Sequence, residues 1–228
     1  GASSTVHSKL LRTNYYFGDF SIPLPAEGVS LRECSHCSLL FKSAVPSTKD
    51  LKKILSLEAV NVWKHKAGVH PAFDWVRPYL EVNLQSVLDV GASNGDLLKQ
   101  LKPFSSSVSA IDVVEYPQCR LIVNKEYIIG EIEGQLNWSG EQYDVVTAFD
   151  IFEHFLDTKA ALSNISSIIK NDGKLIIETG DWTCFSGKLF DWYYSNLFEH
   201  QIFWNRKSFE FFCKEYGFSI VEFRHCEH

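Results

Sequence analysis

Val87-Leu88-Asp89-Val90-Gly91-Ala92-Ser93-Asn94-Gly95-Asp96-Leu97-Leu98 reads as a strand, a glycine turn and the first turn of a helix. The apolar, β-branched run before Gly91 suits a central parallel strand covered on both faces. Gly91 and Gly95 fall where the backbone must turn sharply or let a ligand approach closely. Leu97, Leu98, Leu101 and Phe104 then recur at helical spacing. Strand, glycine turn and helix in that order make a nucleotide cradle at the carboxyl end of a strand.

The spacing narrows the nucleotide. A dinucleotide fingerprint wants G-x-G-x-x-G, and Ser93 stands between the two glycines here, so a nicotinamide-dependent reductase fits poorly. Asp89 closes the strand. A carboxylate there suits a cationic or hydrogen-bond-donating ligand better than a pyrophosphate.

The chain after this turn repeats the alternation. Ser107–Asp112 is the expected second strand, with Asp112 at its carboxyl end, where an acidic side chain holds a ribose diol in doubly wound folds; Glu115 is a nearby substitute. Tyr127–Glu133 reads as a short third strand and turn, and Tyr143–Phe149 as the fourth strand. Asp150 and Glu153 have the D-x-x-E spacing of a helix N-cap and its capping box, which puts His154 in a first helical turn. Helical spacing at Leu162, Ile165, Ile168 and Ile169 leads to the turn Asn171-Asp172-Gly173-Lys174 and a fifth strand, Leu175–Thr179. Phe209, Phe212, Cys213 and Tyr216 form a helical stripe ending at Gly217, and Phe218–Phe223 reads as a last strand. Alternating strands and helices predict an α/β fold with a doubly wound, mostly parallel sheet.

The front of the chain is less regular. Residues 1–48 read as a small irregular segment, and 49–228 as the main domain. Within that domain lie a helical lead-in over 49–82, the nucleotide-binding core over 83–180, an aromatic lid or wall over 181–205, and a last helix and strand over 206–228. In the lead-in Leu51, Ile54 and Leu55 share one face and Phe73, Val76, Tyr79 and Leu80 another; His65 and His70 read as surface residues. Cys34-Ser35-His36-Cys37 is half of a zinc knuckle, and a tetrahedral site needs four ligands. His225, Cys226 and His228 complete such a site only if the two ends of the chain meet; two buried thiols in a strand are the plainer alternative.

With 22 basic and 28 acidic residues the chain carries a net charge of −6 and no basic stripe, which argues against a nucleic-acid partner. No apolar run reaches the length of a membrane span. Gly1-Ala2-Ser3-Ser4 reads as a trimmed end rather than a leader, and six scattered cysteines fit a reducing, cytoplasmic setting.

The D-x-G-x-x-x-G stretch from Asp89 to Gly95 resembles motif I of class I S-adenosylmethionine-dependent methyltransferases. Tyr143-Asp144-Val145-Val146 through Glu153-His154, Ile168 through Leu175, and His200-Gln201-Ile202-Phe203-Trp204 resemble further segments of that family, in order, over about residues 70–224. The front cysteines resemble a subgroup in which a small zinc-knuckle segment precedes the core and whose members often modify sugars or small metabolites; its first cysteine pair is missing here. The resemblance implies a Rossmann-like fold and S-adenosylmethionine as cofactor. Its contacts would come from Asp89, Gly91, Ala92, Ser93, Gly95, Asp112, Val113, Glu131, Ile132 and Phe149, with Glu131 at the adenine amino group. It also implies structural zinc on Cys34 and Cys37 if the knuckle is retained. The acceptor would be a small molecule, with a hydroxyl of a sugar or other metabolite the first choice. His154 or His200 would be the general base, and a carboxylate such as Asp181 is the alternative. The aromatics between Trp182 and Trp204 would wall or cap the acceptor, or else form a packing cap or a dimer contact. A homodimer, or excision from a multidomain parent chain, fits the same sequence. The rival reading is a non-catalytic cofactor-binding or protein-interaction module on the same fold. An amino-methylating nucleic-acid enzyme is disfavoured, because Phe149-Asp150-Ile151-Phe152 is not an N/D-P-P-Y motif.

Overall fold

The computed structural model describes residues 3–17, 20–47, 49–51, 53–54, 70–80, 85–135, 138–225. They divide into two compact units. One holds residues 55–151 and 157–178, the other residues 1–54, 152–156 and 179–228.

The first unit is built on five parallel strands. These are β6 (Gln85–Val90), β7 (Ser105–Asp112), β8 (Tyr127–Ile129), β9 (Tyr143–Phe149) and β10 (Ile169–Glu178), in the order β10-β9-β6-β7-β8. The order reverses at β6, which pairs with β7 on one side and β9 on the other. Val87, Leu88, Asp89 and Val90 are all buried, as a strand covered on both faces requires. Helices α1 (Asp96–Leu101), α2 (Pro117–Ile122) and α3 (Thr158–Ile168) form the crossovers. Leu97, Leu98 and Leu101 of α1 pack with Val87, Val108, Ala110, Val145, Val76 and Leu80 in one core. This is the expected doubly wound sheet. The turn at Asn171–Lys174 survives as a bulge: Ile169 pairs with Tyr143 and Lys174 with Val145, and the Lys170 ammonium bonds Asp144 at 2.8 Å across it.

Two local expectations fail. The D-x-x-E box at Asp150 and Glu153 starts no α-helix; only a single 3-10 turn, Phe152–His154, follows Asp150. Asp150 is left-handed (φ 52°), and α3 begins at Thr158, capped by Asp157 accepting the Ala160 amide at 3.0 Å. The stretch Phe218–Phe223 forms no strand, although its residues alternate between half-buried and exposed. Alternation without a neighbouring strand to pair with leaves the backbone irregular.

The second unit corrects the irregular reading of residues 1–48. β1 (Ser4–Leu10), β4 (Val29–Cys34), β5 (Leu40–Lys42) and β11 (Ile202–Phe203) form a sheet in the order β1-β4-β5-β11, and β2 (Asn14–Phe17) pairs with β3 (Phe20–Pro23) as a separate ribbon. Only alternate residues of β4, Val29 and Leu31, are buried. They meet Ile22, Leu40, Ile54, Leu189, Phe190, Tyr194, Phe198 and Phe203, so much of the aromatic stretch is core of this unit. Helix α4 (Arg206–Tyr216) starts at a capping box, in which Asn205 accepts the Ser208 amide at 2.8 Å and Ser208 Oγ accepts the Asn205 amide at 2.9 Å. It ends at left-handed Gly217. Leu51 and Ile54 are buried, as the lead-in pattern expects, while Leu55 and His65 lie outside the described residues. Among the described residues no helix is long and apolar enough to cross a membrane.

Leu88 carries the test of this core. Leu88→Ala should lower unfolding free energy by about 2–5 kcal/mol, whereas Leu121→Ala, at a site 85% exposed, should stay within about 0.5 kcal/mol of the parent. Urea unfolding followed by circular dichroism measures both.

Candidate active site

In the sheet unit the cradle forms at the strand-order reversal, where open α/β sheets bind ligands. Gly91 (φ 76°), Ser93 (φ 48°) and Gly95 (φ 79°) all take left-handed backbone. A Cβ on Gly91 would lie 2.0 Å from Ile151 Cδ1, so both conformation and space demand glycine there. The Gly91 amide donates to Ile111 O at 2.8 Å, and the Ser93 amide donates to Asp112 Oδ2 at 2.8 Å. Asp112 Oδ1 accepts the Val114 amide at 3.1 Å, and Asp112 O accepts the Gly130 amide at 2.9 Å. Asp112 thus ties the β6 turn to its own strand end and to the loop after β8.

Asp89 and Asp112 are both buried, and among the described residues neither makes an ion pair. Burial pushes the Asp89 carboxyl up to about 7; the Thr147 hydroxyl, donating to Oδ1 at 2.6 Å, opposes this and the Asp112 charge adds to it. Burial also raises Asp112, against the amides of Ser93, Val114 and Val113. Burial and these two carboxylates push the Cys119 thiol up to about 12, leaving it inert. A cradle with two buried acids, neither ion-paired among the described residues, suits a ligand that brings positive charge and hydroxyl donors.

The other expected cofactor residues of this unit sit on the same edge. Ala92 is buried in the turn, and Val113, 36% exposed, follows Asp112. Glu131 and Ile132 occupy the loop after β8, which Asn164 Nδ2 holds by donating to Ile132 O at 2.7 Å and Gly134 O at 3.0 Å. Phe149 ends β9, with the His70 ring edge-on at 6.0 Å. Thr147 was not legible as a site residue; its signal was one hydroxyl inside the apolar run Val145–Phe149.

His154 and His200 belong to the second unit, and the structure brings them together with ring centroids 4.7 Å apart. His154 Nδ1 faces Glu199 O at 3.1 Å and His200 Nδ1 faces Tyr194 O at 3.0 Å. A carbonyl only accepts, so in both rings Nδ1 carries a hydrogen. Burial drives the His200 pKa well below 6.5, and the neighbouring His154 and Lys42 charges add to the effect. Lys42 is itself lowered by burial to about 7, against the pull of Glu199. Glu153, fully buried, accepts from Thr179 Oγ1 at 2.8 Å rather than capping a helix.

Cys34 and Cys37 flank the tight turn between β4 and β5. Burial raises both thiols. In Cys34 the amides of Cys37 and His36 and the Cys37 side chain outweigh it and lower the pKa, while Cys37 stays raised. Among the described residues these two cysteines join no group of three metal-ligating side chains, so the four donors of a zinc knuckle are not assembled there. His225 lies instead beside Asp181 and Cys184, and Cys226 and His228 fall outside the described residues.

A sequence profile described as "Methyltransferase domain" matches residues 62–223. The chain belongs to that family. It is 26% identical over 149 residues to a ubiquinone biosynthesis O-methyltransferase of Pseudomonas fluorescens, covering 58% of this chain and 64% of the relative, so it spans less than two thirds of that relative's length. It is 25% identical over 170 residues to a demethylmenaquinone methyltransferase of Thermotoga maritima, covering 69% of each. The fold is shared with 1,6-didemethyltoxoflavin-N1-methyltransferase of Burkholderia thailandensis, solved with its acceptor and S-adenosylhomocysteine (TM-score 0.59, 14% identity, 92% of this chain and 90% of that one). These findings establish the Rossmann-like methyltransferase fold.

Asp89 makes the cradle pH-sensitive. Its pKa is raised on folding, so between about 4 and 7 the native state binds more protons than the unfolded one and stability falls as pH rises, by up to about 1.4 kcal/mol per pH unit. Asp89→Asn should flatten this slope in thermal melts of the ligand-free protein across that range.

Proposed function

We propose that the protein transfers a methyl group from S-adenosylmethionine to a small-molecule acceptor, with a hydroxyl, of a sugar or another metabolite, as the nucleophile. The observation that carries this reading is Asp112 at the carboxyl end of β7, locked by the Ser93 amide to the glycine turn of β6. Two buried carboxylates without a basic partner match a cofactor with an ammonium, a sulfonium and a ribose diol. In this reading Asp112 holds the diol, the turn Gly91, Ala92, Ser93 and Gly95 and the side chain of Asp89 bound the methionine end, and Val113, Glu131, Ile132 and Phe149 line the adenine side.

When bound, the cofactor supplies an activated methyl group on a positively charged sulfur. The acceptor oxygen forms the new bond to carbon, the carbon–sulfur bond breaks, and its electron pair stays on sulfur. What remains for the protein is alignment and removal of the hydroxyl proton. His154 and His200 are assigned to that removal, as two imidazoles brought together with ring centroids 4.7 Å apart. The curated relatives named above, two quinone-pathway methyltransferases, support a small-molecule acceptor. A cytoplasmic setting belongs to this proposal. Zinc on Cys34 and Cys37 does not, for want of further donors among the described residues.

Calorimetry with S-adenosylhomocysteine tests the cofactor. One equivalent should bind, and Asp112→Asn should weaken it by about 1–3 kcal/mol, because an amide leaves one of the diol or backbone donors unmatched. Absence of heat at millimolar ligand would leave the non-catalytic module as the better account. With candidate acceptors and radiolabelled methyl donor, His154→Ala and His200→Ala should each lose about 10²–10⁴-fold in turnover at unchanged S-adenosylhomocysteine affinity; near-normal turnover in both would remove the histidines from the reaction.

A further inference from the structure

The groups around His154 and His200 have an arrangement that proton transfer alone does not require. Glu153 Oε1 lies 3.8 Å from His200 Nε2 and 4.0 Å from His154 Nε2. One potential ligand atom from each of the three residues lies within 4.8 Å of the other two, and the two carboxylate–imidazole separations exceed a hydrogen bond. Glu153 is fully buried, the His200 side chain is 3% exposed and the His154 side chain 18%, so His154 is the member most accessible to solvent.

Each member is held from behind. Backbone carbonyls of Glu199 and Tyr194 take the Nδ1 hydrogens of His154 and His200, which fixes ring orientation and leaves each Nε2 facing Glu153 Oε1. Thr179 Oγ1 donates to the other Glu153 oxygen, at 2.8 Å, and Glu153 O accepts the Gln201 amide at 2.7 Å. Metal-ligating histidines are oriented this way, the second nitrogen bonded to a carbonyl or carboxylate.

We propose that Glu153, His154 and His200 bind a divalent transition-metal ion through two imidazole nitrogens and one carboxylate oxygen. Two histidines and one carboxylate suit zinc, manganese, iron or cobalt and leave coordination positions open. Bonds of about 2.0–2.2 Å bring ligand atoms of a tetrahedral ion to about 3.4 Å apart, so the site closes by about half an ångström on loading. The open position, on the His154 side, is where an acceptor oxygen can bind. A hydroxyl on the ion would give its proton more readily to solvent water, and the alkoxide or phenolate left behind would stay held as the nucleophile. With the ion bound the histidines would promote proton loss through it; without the ion they keep the role of candidate bases assigned above. Metal binding itself does not depend on the methyl-transfer reading; only this role does.

Cobalt(II) is the probe, added to chelator-treated, tag-free full-length protein without cofactor or acceptor. One equivalent should bind at this cluster with visible ligand-field bands, read together with calorimetry and elemental analysis. Glu153→Gln keeps an oxygen for Thr179 but removes the charge, and His154→Ala removes one nitrogen at the open side. Each should lose that equivalent or weaken it at least about tenfold. Cys184→Ser, which disables the separate Asp181, Cys184 and His225 cluster, should retain it. Circular dichroism checks that each variant folds, and His154→Ala decides if Glu153→Gln does not. Absence of cobalt binding by the parent protein overturns the proposal. So does binding that survives both Glu153→Gln and His154→Ala, or binding abolished by Cys184→Ser alone. Failure to bind S-adenosylhomocysteine with cobalt binding intact would overturn the methyltransferase reading and leave the metal site standing.

Discussion

The hydrogen bond from the Ser93 amide to the Asp112 carboxylate joins the ends of the two central strands, and the candidate site depends on it. It requires left-handed backbone at Gly91, Ser93 and Gly95. Ser93 holds such a conformation at a cost for a residue with a Cβ. Strain of this kind persists where surrounding structure over-determines it, and here β6 is buried on both faces and fixed between two strands. The result is a loop of backbone amides and two acidic side chains that is set before any ligand arrives.

Buried polar groups recur in the second unit with a different logic. Lys42, Glu153, Glu199 and His200 are all buried, within a unit whose core is otherwise aliphatic and aromatic. Part of their hydrogen bonding comes from distant parts of the chain: Tyr15 donates to Glu199 at 2.9 Å, Lys42 donates to Leu197 O, and Thr179 donates to Glu153 at 2.8 Å. Such a network is costly unless its members are paired, and it fixes geometry tightly when they are. Two parts of the chain far apart in sequence, the Phe152–Leu156 turn and the stretch around His200, are thereby locked into one arrangement.

The sheet was legible because its signals are local. Val87-Leu88 before Gly91, and Val145-Val146 before Phe149, are short apolar runs ending in turn residues, and each became a buried parallel strand. The elements that misread were those decided by distant partners. Glu153 has capping-box spacing from Asp150, but Thr179 and Gln201 claim its side chain and backbone. β1 is mostly polar and exposed, so its pairing with β4 leaves little trace in its own pattern. Asp112 was legible from its place at a strand end. Thr147 was not, because its role comes from the neighbouring strand, where Asp89 is its partner.

Hydrogen–deuterium exchange with and without saturating S-adenosylhomocysteine tests the cradle most directly, because it reports where the ligand acts. The account predicts slowed exchange confined chiefly to peptides spanning residues 89–97 and 110–116, with a smaller effect over 130–134. Protection that spares the first two peptides, or no protection at saturation, would contradict it.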